Sequence, residues 1–457
     1  MPTRQDGGMT WTGEWTARGI ADEVMSGRVE SHAAVAEALT RIADRDGALS
    51  AFARVRPQAI DEARVAPGGP LAGVPVAIKD NIPVAGEPMR VGSQATAAEP
   101  STADHPVVSR LRAAGAVPVG ITAVPELCIF GTTDALGIVT RNPWNPQLTP
   151  GGSSGGSAVA VAAGMVPVAH AADGMGSIRI PAACTGIVGV KPGLGVVPAE
   201  MGVNDWFGMS ENGVLATTVA DAALALSVMA NRPEWAAVEP ASTRMRVGVS
   251  LTPPVPGVRL DAGMGRAATR AASLLKGSGH AVDRVEPAAA DVAVTAAAVA
   301  ALSRWFAGVA LDAAELDPAL LEPRTRTHTA IGRRVLGTPL LSERLRQMWQ
   351  ESALTLLEDQ DLLITPALAG IPPDAVAWSQ RSWGANIWSN VQYAPYAAPW
   401  NIAGFPAMVV PMGVHPVSGT PIAAQLVGRP GHEALLLSVA ALLEARSPWQ
   451  RVAPGVA

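Results

Sequence analysis

The residues most suggestive of chemistry are a run of glycines and serines and a rare lysine. Gly151-Gly152-Ser153-Ser154-Gly155-Gly156-Ser157, directly after Pro150, packs four glycines and three serines into seven residues. Glycine at this density lets a backbone approach a ligand closely or hold dihedrals that other residues resist. As bare composition the run reads as a flexible linker. A compact Ala/Val segment follows at once, however, and then a second cluster, Asp173-Gly174-Met175-Gly176-Ser177-Ile178-Arg179. Two such clusters inside apolar sequence read better as a built site. Of the 34 basic residues only Lys79, Lys191 and Lys276 are lysine. Arginine keeps its proton, whereas a buried lysine can lose it and act as a base; against this stands retention by chance or by packing.

Three mechanisms compete for the first cluster. A phosphate-binding loop needs a Lys-Ser/Thr pair after its glycines, and none is present. Gly152-Ser153-Ser154-Gly155-Gly156 satisfies the G-x-S-x-G nucleophile elbow with Ser154 as nucleophile. An elbow must follow a strand, though, and the upstream Asn142-Pro143-Trp144-Asn145-Pro146 is broken by proline. The third mechanism pairs a serine nucleophile with a lysine base, a known variant of the catalytic triad.

Lys79-Asp80-Asn81, the Gly151–Ser157 cluster, the segment Asp173 to Pro181, and Gly186-Ile187-Val188-Gly189-Val190-Lys191-Pro192 closely resemble the amidase signature family. Trp400-Asn401-Ile402-Ala403-Gly404-Phe405-Pro406 and Gln425-Leu426-Val427-Gly428-Arg429-Pro430 look like its C-terminal pattern, so the likeness covers almost the full chain. The resemblance implies hydrolysis of a carboxylic amide C–N bond by a Ser-cisSer-Lys triad, without cofactor or metal. Ser177 would be the nucleophile, Ser153 the bridging serine in a cis peptide bond with Gly152, and Lys79 the base. The separation of the two serines matches the family's. Ser154 would orient the pair, the backbone N–H groups of Gly174, Met175, Gly176 and Ser177 would form an oxyanion hole, and Asp173 and Arg179 would hold the loop. Esters follow as secondary substrates, and a homodimer is the family's expectation.

Departures from the pattern bear on substrate. Met175 stands where the family usually has glycine, and Ala172 where serine or threonine is common; the Met175 side chain would intrude on the acyl pocket or prop the loop. Asn204 to Leu215 differs from the S-L-D-x-x-G-P of glutamine-using transamidation subunits, which disfavours a tRNA-dependent role. Two alternatives stay open: a histidine-dependent serine esterase using Ser154, and a non-catalytic or transamidation subunit that keeps the fold. Aromatic residues make up only 4% of the chain, yet Trp378, Trp383, Trp388 and Trp400 fall close to Tyr393 and Tyr396. Rings with a polar edge suit a partly wet apolar pocket, so this cluster is either the lining for a small apolar or aromatic amide or a packing or dimer surface. Trp206 and Phe207 are candidates for the same mouth. Cys128 and Cys184 read as buried small hydrophobes, and His170 as a satisfied core histidine.

The elements that must carry these residues alternate between strand and helix patterns. Val74 to Ile78 and Val117 to Ile121 read as strands around a helix from Pro106 to Ala114, and the rhythm continues beyond the glycine cluster. The expectation is an α/β chain with the amidase signature fold: a central mixed, largely parallel sheet surrounded by helices. It is read as one domain over 1–457, with the motifs in a core at 72–232, a helical insertion at 288–360 over the site, and a return to the sheet at 361–457.

Composition narrows the function classes. The 457 residues are 48% hydrophobic and 16% charged, which excludes disorder as the main state. A net charge of -5 with no basic run argues against nucleic acid or an anionic membrane as partner and leaves a small-molecule amide as the expected ligand. Met1 to Trp15 lacks the apolar core of a secretory signal, and the apolar stretches Ala158 to Ala172 and Val292 to Ser303 are not read as membrane spans. Two cysteines form no disulfide framework, and no C-x-x-C or H-x-x-x-H spacing offers a metal site, so a cytoplasmic location is expected.

Overall fold

Short runs of small and β-branched residues, cut by glycine and proline, form one eleven-stranded sheet. The computed structural model describes residues 13–286 and 292–456. The strands are β1 (Phe52–Val55), β2 (Pro75–Lys79), β3 (Val117–Thr122), β4 (Val168–Asp173), β5 (Val188–Lys191), β6 (Glu211–Ala216), β7 (Arg246–Val249), β8 (Ala281–Arg284), β9 (Leu362–Pro366), β10 (Ala407–Val414) and β11 (Pro421–Gly428). Their order across the sheet is β1-β3-β2-β4-β6-β5-β10-β11-β9-β7-β8.

The sheet is mixed as expected, but its parallel share is smaller than the strand-helix rhythm suggests. The pairs β2–β3, β2–β4, β7–β9 and β7–β8 are parallel, while the run from β4 through β6, β5, β10 and β11 to β9 is antiparallel. Two features cause this. The link from β10 to β11 is too short for a crossover, so the two can pair only as a hairpin. And β6, which separates β4 from β5, opens with Glu211-Asn212-Gly213 and is not marked as a strand by the sequence pattern; Gly213 is required because a Cβ there would strike the Val190 carbonyl oxygen.

Helices Gly155–Ala162 and Arg179–Thr185 are buried throughout, and Ala262–Gly277, which the sequence reading did not mark, packs on β9, β10 and β11 with Asp261 accepting from the Gly263 and Met264 N–H groups as its cap. Between β8 and β9, helices Val292–Asp312, Pro323–Val335 and Glu343–Leu356 pack on one another where the helical insertion is expected; its start, 288–291, lies outside the described residues. With Trp206, Trp400 and Phe405 they enclose a second apolar cluster beside the main core. Helix Val292–Asp312 is long and apolar enough to cross a membrane by length and composition, but 61% of its apolar window is buried inside the fold, as in a core helix.

Candidate active site

Strands β2 and β4 are parallel neighbours in the register Val76↔Val168 and Ala77↔Ala169, so their C-terminal ends stand together. Lys79 is the last residue of β2 and Asp173 the last of β4. Ligand sites in α/β sheets form outside such strand ends. The glycine-serine cluster sits against this edge as the entry to helix Gly155–Ala162. A Cβ on Gly156 would collide with the Ala51 carbonyl oxygen and the Ala123 nitrogen, which explains glycine in a helix that packs this closely on the sheet edge.

Lys79 is 1% exposed, and its Nζ donates to Ser153 Oγ at 2.9 Å and to the Ala172 carbonyl at 3.1 Å. Burial pushes its pKa below the ordinary lysine value, against the smaller pulls of Cys128 and Asp173. The Gly152–Ser153 peptide bond is cis. Ser153 and Ser177 line the same cavity of about 280 Å³ together with Lys79. Ser154 is fully buried; its Oγ donates to the Ala172 carbonyl at 3.2 Å, and its N–H donates to the Ser177 carbonyl at 3.2 Å. The structure thus brings Lys79, Ser153 and Ser177 together and sets Ser154 behind them.

The loop that carries Ser177 is held from below. Arg179, 1% exposed, binds Asp173 through Nε at 2.9 Å and Nη2 at 3.0 Å. It also donates to Ala397 O, Gln425 Oε1 and Asn401 Oδ1 at 2.8, 2.8 and 2.6 Å. Burial alone would raise the Asp173 pKa; the Arg179 charge and hydrogen bonds reverse this and hold the carboxyl well below the usual range. Asn401 and Gln425 were legible only as parts of the C-terminal motifs, with no role attached.

One expected oxyanion donor is corrected. The Gly176 N–H is bonded to Asp173 Oδ1 at 2.6 Å and is committed to shaping the loop. The N–H groups of Gly174, Met175 and Ser177 make no such bond to the described chain.

The expected aromatic lining is also redrawn. Trp206 lines the 280 Å³ cavity, and Tyr393 lines a second cavity of about 470 Å³ that reaches Ser177 from the other side. Phe207, Trp378, Trp383 and Trp388 line neither. Trp383 donates from its indole to His328 Nδ1 at 3.3 Å, Trp378 to the Asp374 carbonyl at 2.9 Å, and Trp388 is 68% exposed. Nearness in sequence failed here because Trp378 belongs to a separate turn, Trp378–Gln380, Trp388 borders an open cavity on the far side of Tyr393, and Trp383 sits a turn before Ile387, against Phe306 and His328. In their place Trp305, Trp349 and Met175 line the 470 Å³ cavity, and Cys128, Asn81 and Asp312 line the smaller one. No sequence signal marked Asp312 or Trp305, single residues in an alanine-rich helix.

His170 is buried, receives the Lys79 N–H on Nδ1 at 3.4 Å and pairs its Nε2 with Asn212 Oδ1 at 2.9 Å. Burial lowers its pKa to about 3, so it is neutral near pH 7. It makes no bond to Ser154 in this arrangement. Among the described residues no group of His, Cys, Asp and Glu is placed to hold a metal.

A family model for amidases matches residues 33–437. A Mycobacterium tuberculosis protein named "Putative amidase AmiB2" is 40% identical over 397 residues, 85% of this chain and 84% of that protein. The 6-aminohexanoate cyclic dimer hydrolase in its substrate complex is similar over 97% of this chain and 99% of its own, with a TM-score of 0.87 and 28% identity. The peptide amidase of Stenotrophomonas maltophilia is similar over 96% and 98%, with a TM-score of 0.75 and 28% identity. With a sheet edge that gathers the lysine and both serine clusters, and relatives matched over nearly their whole length, the chain belongs to the amidase signature family and is a hydrolase of amide bonds.

Proposed function

We propose that the chain cleaves a small apolar or aromatic carboxylic amide through an acyl-enzyme on Ser177. The observation that carries this reading is the buried Lys79 Nζ at 2.9 Å from Ser153 Oγ, in a cavity that Ser177 also lines. Neutral Lys79 takes the Ser153 proton, Ser153 takes the Ser177 proton, and Ser177 Oγ bonds to the carbonyl carbon. The N–H groups of Gly174, Met175 and Ser177 receive the developing oxyanion; one donor of this kind is worth about 3–4 kcal/mol. Ser153 returns a proton to the leaving nitrogen as the C–N bond breaks, and water releases the acyl group by the same relay. Asp173 and Arg179 keep the loop in shape. The apolar lining of the 470 Å³ cavity supports an apolar or aromatic acyl group. A cytoplasmic homodimer is the accompanying inference, resting on two free thiols and on the family resemblance.

Labelling with a fluorophosphonate, followed by peptide mapping, tests the reading. An adduct on Ser177 that is strongly weakened in Lys79→Ala supports it. An adduct on Ser154 that ignores Lys79 replaces it with the esterase mechanism, and turnover of no aryl or alkyl amide despite an intact site favours a non-catalytic subunit.

A further inference from the structure

Ser177 lines two cavities, both largely apolar. The 470 Å³ cavity is lined by Met175, Ile180 and Trp305 among others and by no carboxylate, whereas the 280 Å³ cavity adds Asp173, Asp312 and Asn81 to its apolar wall. Asp312 closes helix Val292–Asp312, where the helix dipole is negative. Its Oδ1 accepts from the Val203 N–H at 2.8 Å and its Oδ2 from the Trp206 indole at 2.8 Å, which leaves each oxygen able to accept again. No ion pair reaches this carboxylate among the described residues, and Asp205 adds a like charge nearby. Asn81 lines the same cavity; its Nδ2 is turned to Met201 Sδ at 3.2 Å, and its Oδ1 is buried with no partner. Buried acceptors without donors are costly, and a ligand that brings donors recovers that cost.

We propose that Asp312 is a specificity-determining residue that selects amides whose amine portion carries an ammonium group, with Asn81 as the second acceptor. The inference rests on the Ser177 acyl-enzyme reading. Its direction follows from the proton path: Ser153 must protonate the leaving nitrogen, and Ser153 lines the smaller cavity but not the larger one. The amine therefore occupies the side that holds Asp312 and Asn81, and the acyl group lies in the larger cavity beside Met175. A cation on the amine side also favours neutral Lys79, the form the relay requires. The small volume limits the amine to a short chain.

The test compares two matched ligands on the full-length protein, the phenylacetyl amide of ethylenediamine and that of propylamine. Their ability to slow fluorophosphonate labelling of Ser177 is measured in the native chain, Asp312→Asn and Asn81→Leu. Asp312→Asn keeps an oxygen for the Val203 N–H. The ammonium compound is expected to protect Ser177 at a concentration about tenfold lower than its neutral isostere, an advantage typical of a charge-assisted bond. That advantage should fall below about threefold in Asp312→Asn and shrink in part in Asn81→Leu. Equal protection by the two ligands in the native chain, including none by either, overturns the inference, as does an advantage that survives Asp312→Asn. If Asp312→Asn fails to fold, the native comparison and Asn81→Leu decide. Failure of the underlying reading looks different: the label then does not sit on Ser177 at all.

Discussion

The Arg179 guanidinium grips the Asp173 carboxylate through two bonds, Nε to Oδ2 at 2.9 Å and Nη2 to Oδ1 at 3.0 Å, directly beneath the loop that ends in Ser177. Asp173 uses the same two oxygens to accept from the Gly176 and Ile178 N–H groups, so the ion pair sets the backbone on both sides of the nucleophile. Removing one partner leaves the other charged and buried. Arg179→Leu should cost about 3–5 kcal/mol of stability in urea unfolding and abolish Ser177 labelling. Because the Asp173 carboxyl is held below its ordinary 3.8, it contributes stability above that value and loses it as pH falls through the lowered one. The stability gap between the native chain and Asp173→Asn should therefore be constant from pH 5 to pH 8 and close only below about pH 4.

Lys79 supplies the pH dependence of catalysis. Its burial lowers its pKa from the ordinary lysine value, and only the neutral form accepts a proton, so activity rises with pH on a limb that lies below 10.5. Arginine cannot take that role, and Lys79→Arg should lower kcat/KM by about 10²–10⁴-fold. His170, with its pKa near 3, should add no limb between pH 5 and pH 8. A pH profile of kcat/KM in the native chain and in His170→Gln measures both; a limb near pH 6.5 that disappears in His170→Gln would contradict the assignment.

Ser154 and Ser177 should respond differently to alanine. Ser154→Ala removes two bonds, the one its Oγ donates to the Ala172 carbonyl and the one it accepts from the Ala172 N–H, together worth about 1–2 kcal/mol of stability, and should leave fluorophosphonate labelling on Ser177. Ser177→Ala should remove the adduct and raise no new one. Intact-protein mass spectrometry of both variants reads the outcome.

Gly156→Ala tests the close approach of helix Gly155–Ala162 to the sheet. The three atoms nearest the added Cβ are backbone atoms of Ala51 and Ala123, which have no side-chain freedom with which to yield. The expected loss is about 1–3 kcal/mol or more, seen in thermal unfolding, with slower Ser177 labelling because the same turn holds Ser153.

The amino-acid sequence by itself determined the family, the candidate triad and most of the strands that carry it. Those strands are short apolar runs whose burial follows from local pattern, and the serine clusters and rare lysine need no long-range information to be seen. Strand β6 escaped because a central strand buried on both faces tolerates Glu211 and Asn212 where other elements bond their polar ends, as the Gly195 N–H does Glu211 and the Pro198 carbonyl does Asn212. The cavity walls escaped for a related reason. Residues close in sequence sit on separate elements and at different depths, so Trp378, in its own turn, and Trp383 and Trp388, on helix Trp383–Tyr393, left the site, while Trp305 and Asp312 reached it from a helix far from them in sequence. Which N–H groups around Ser177 stay free was equally a tertiary decision: Asp173, fixed by Arg179, Asn401 and the packing of β4 on β6, takes the Gly176 N–H for itself.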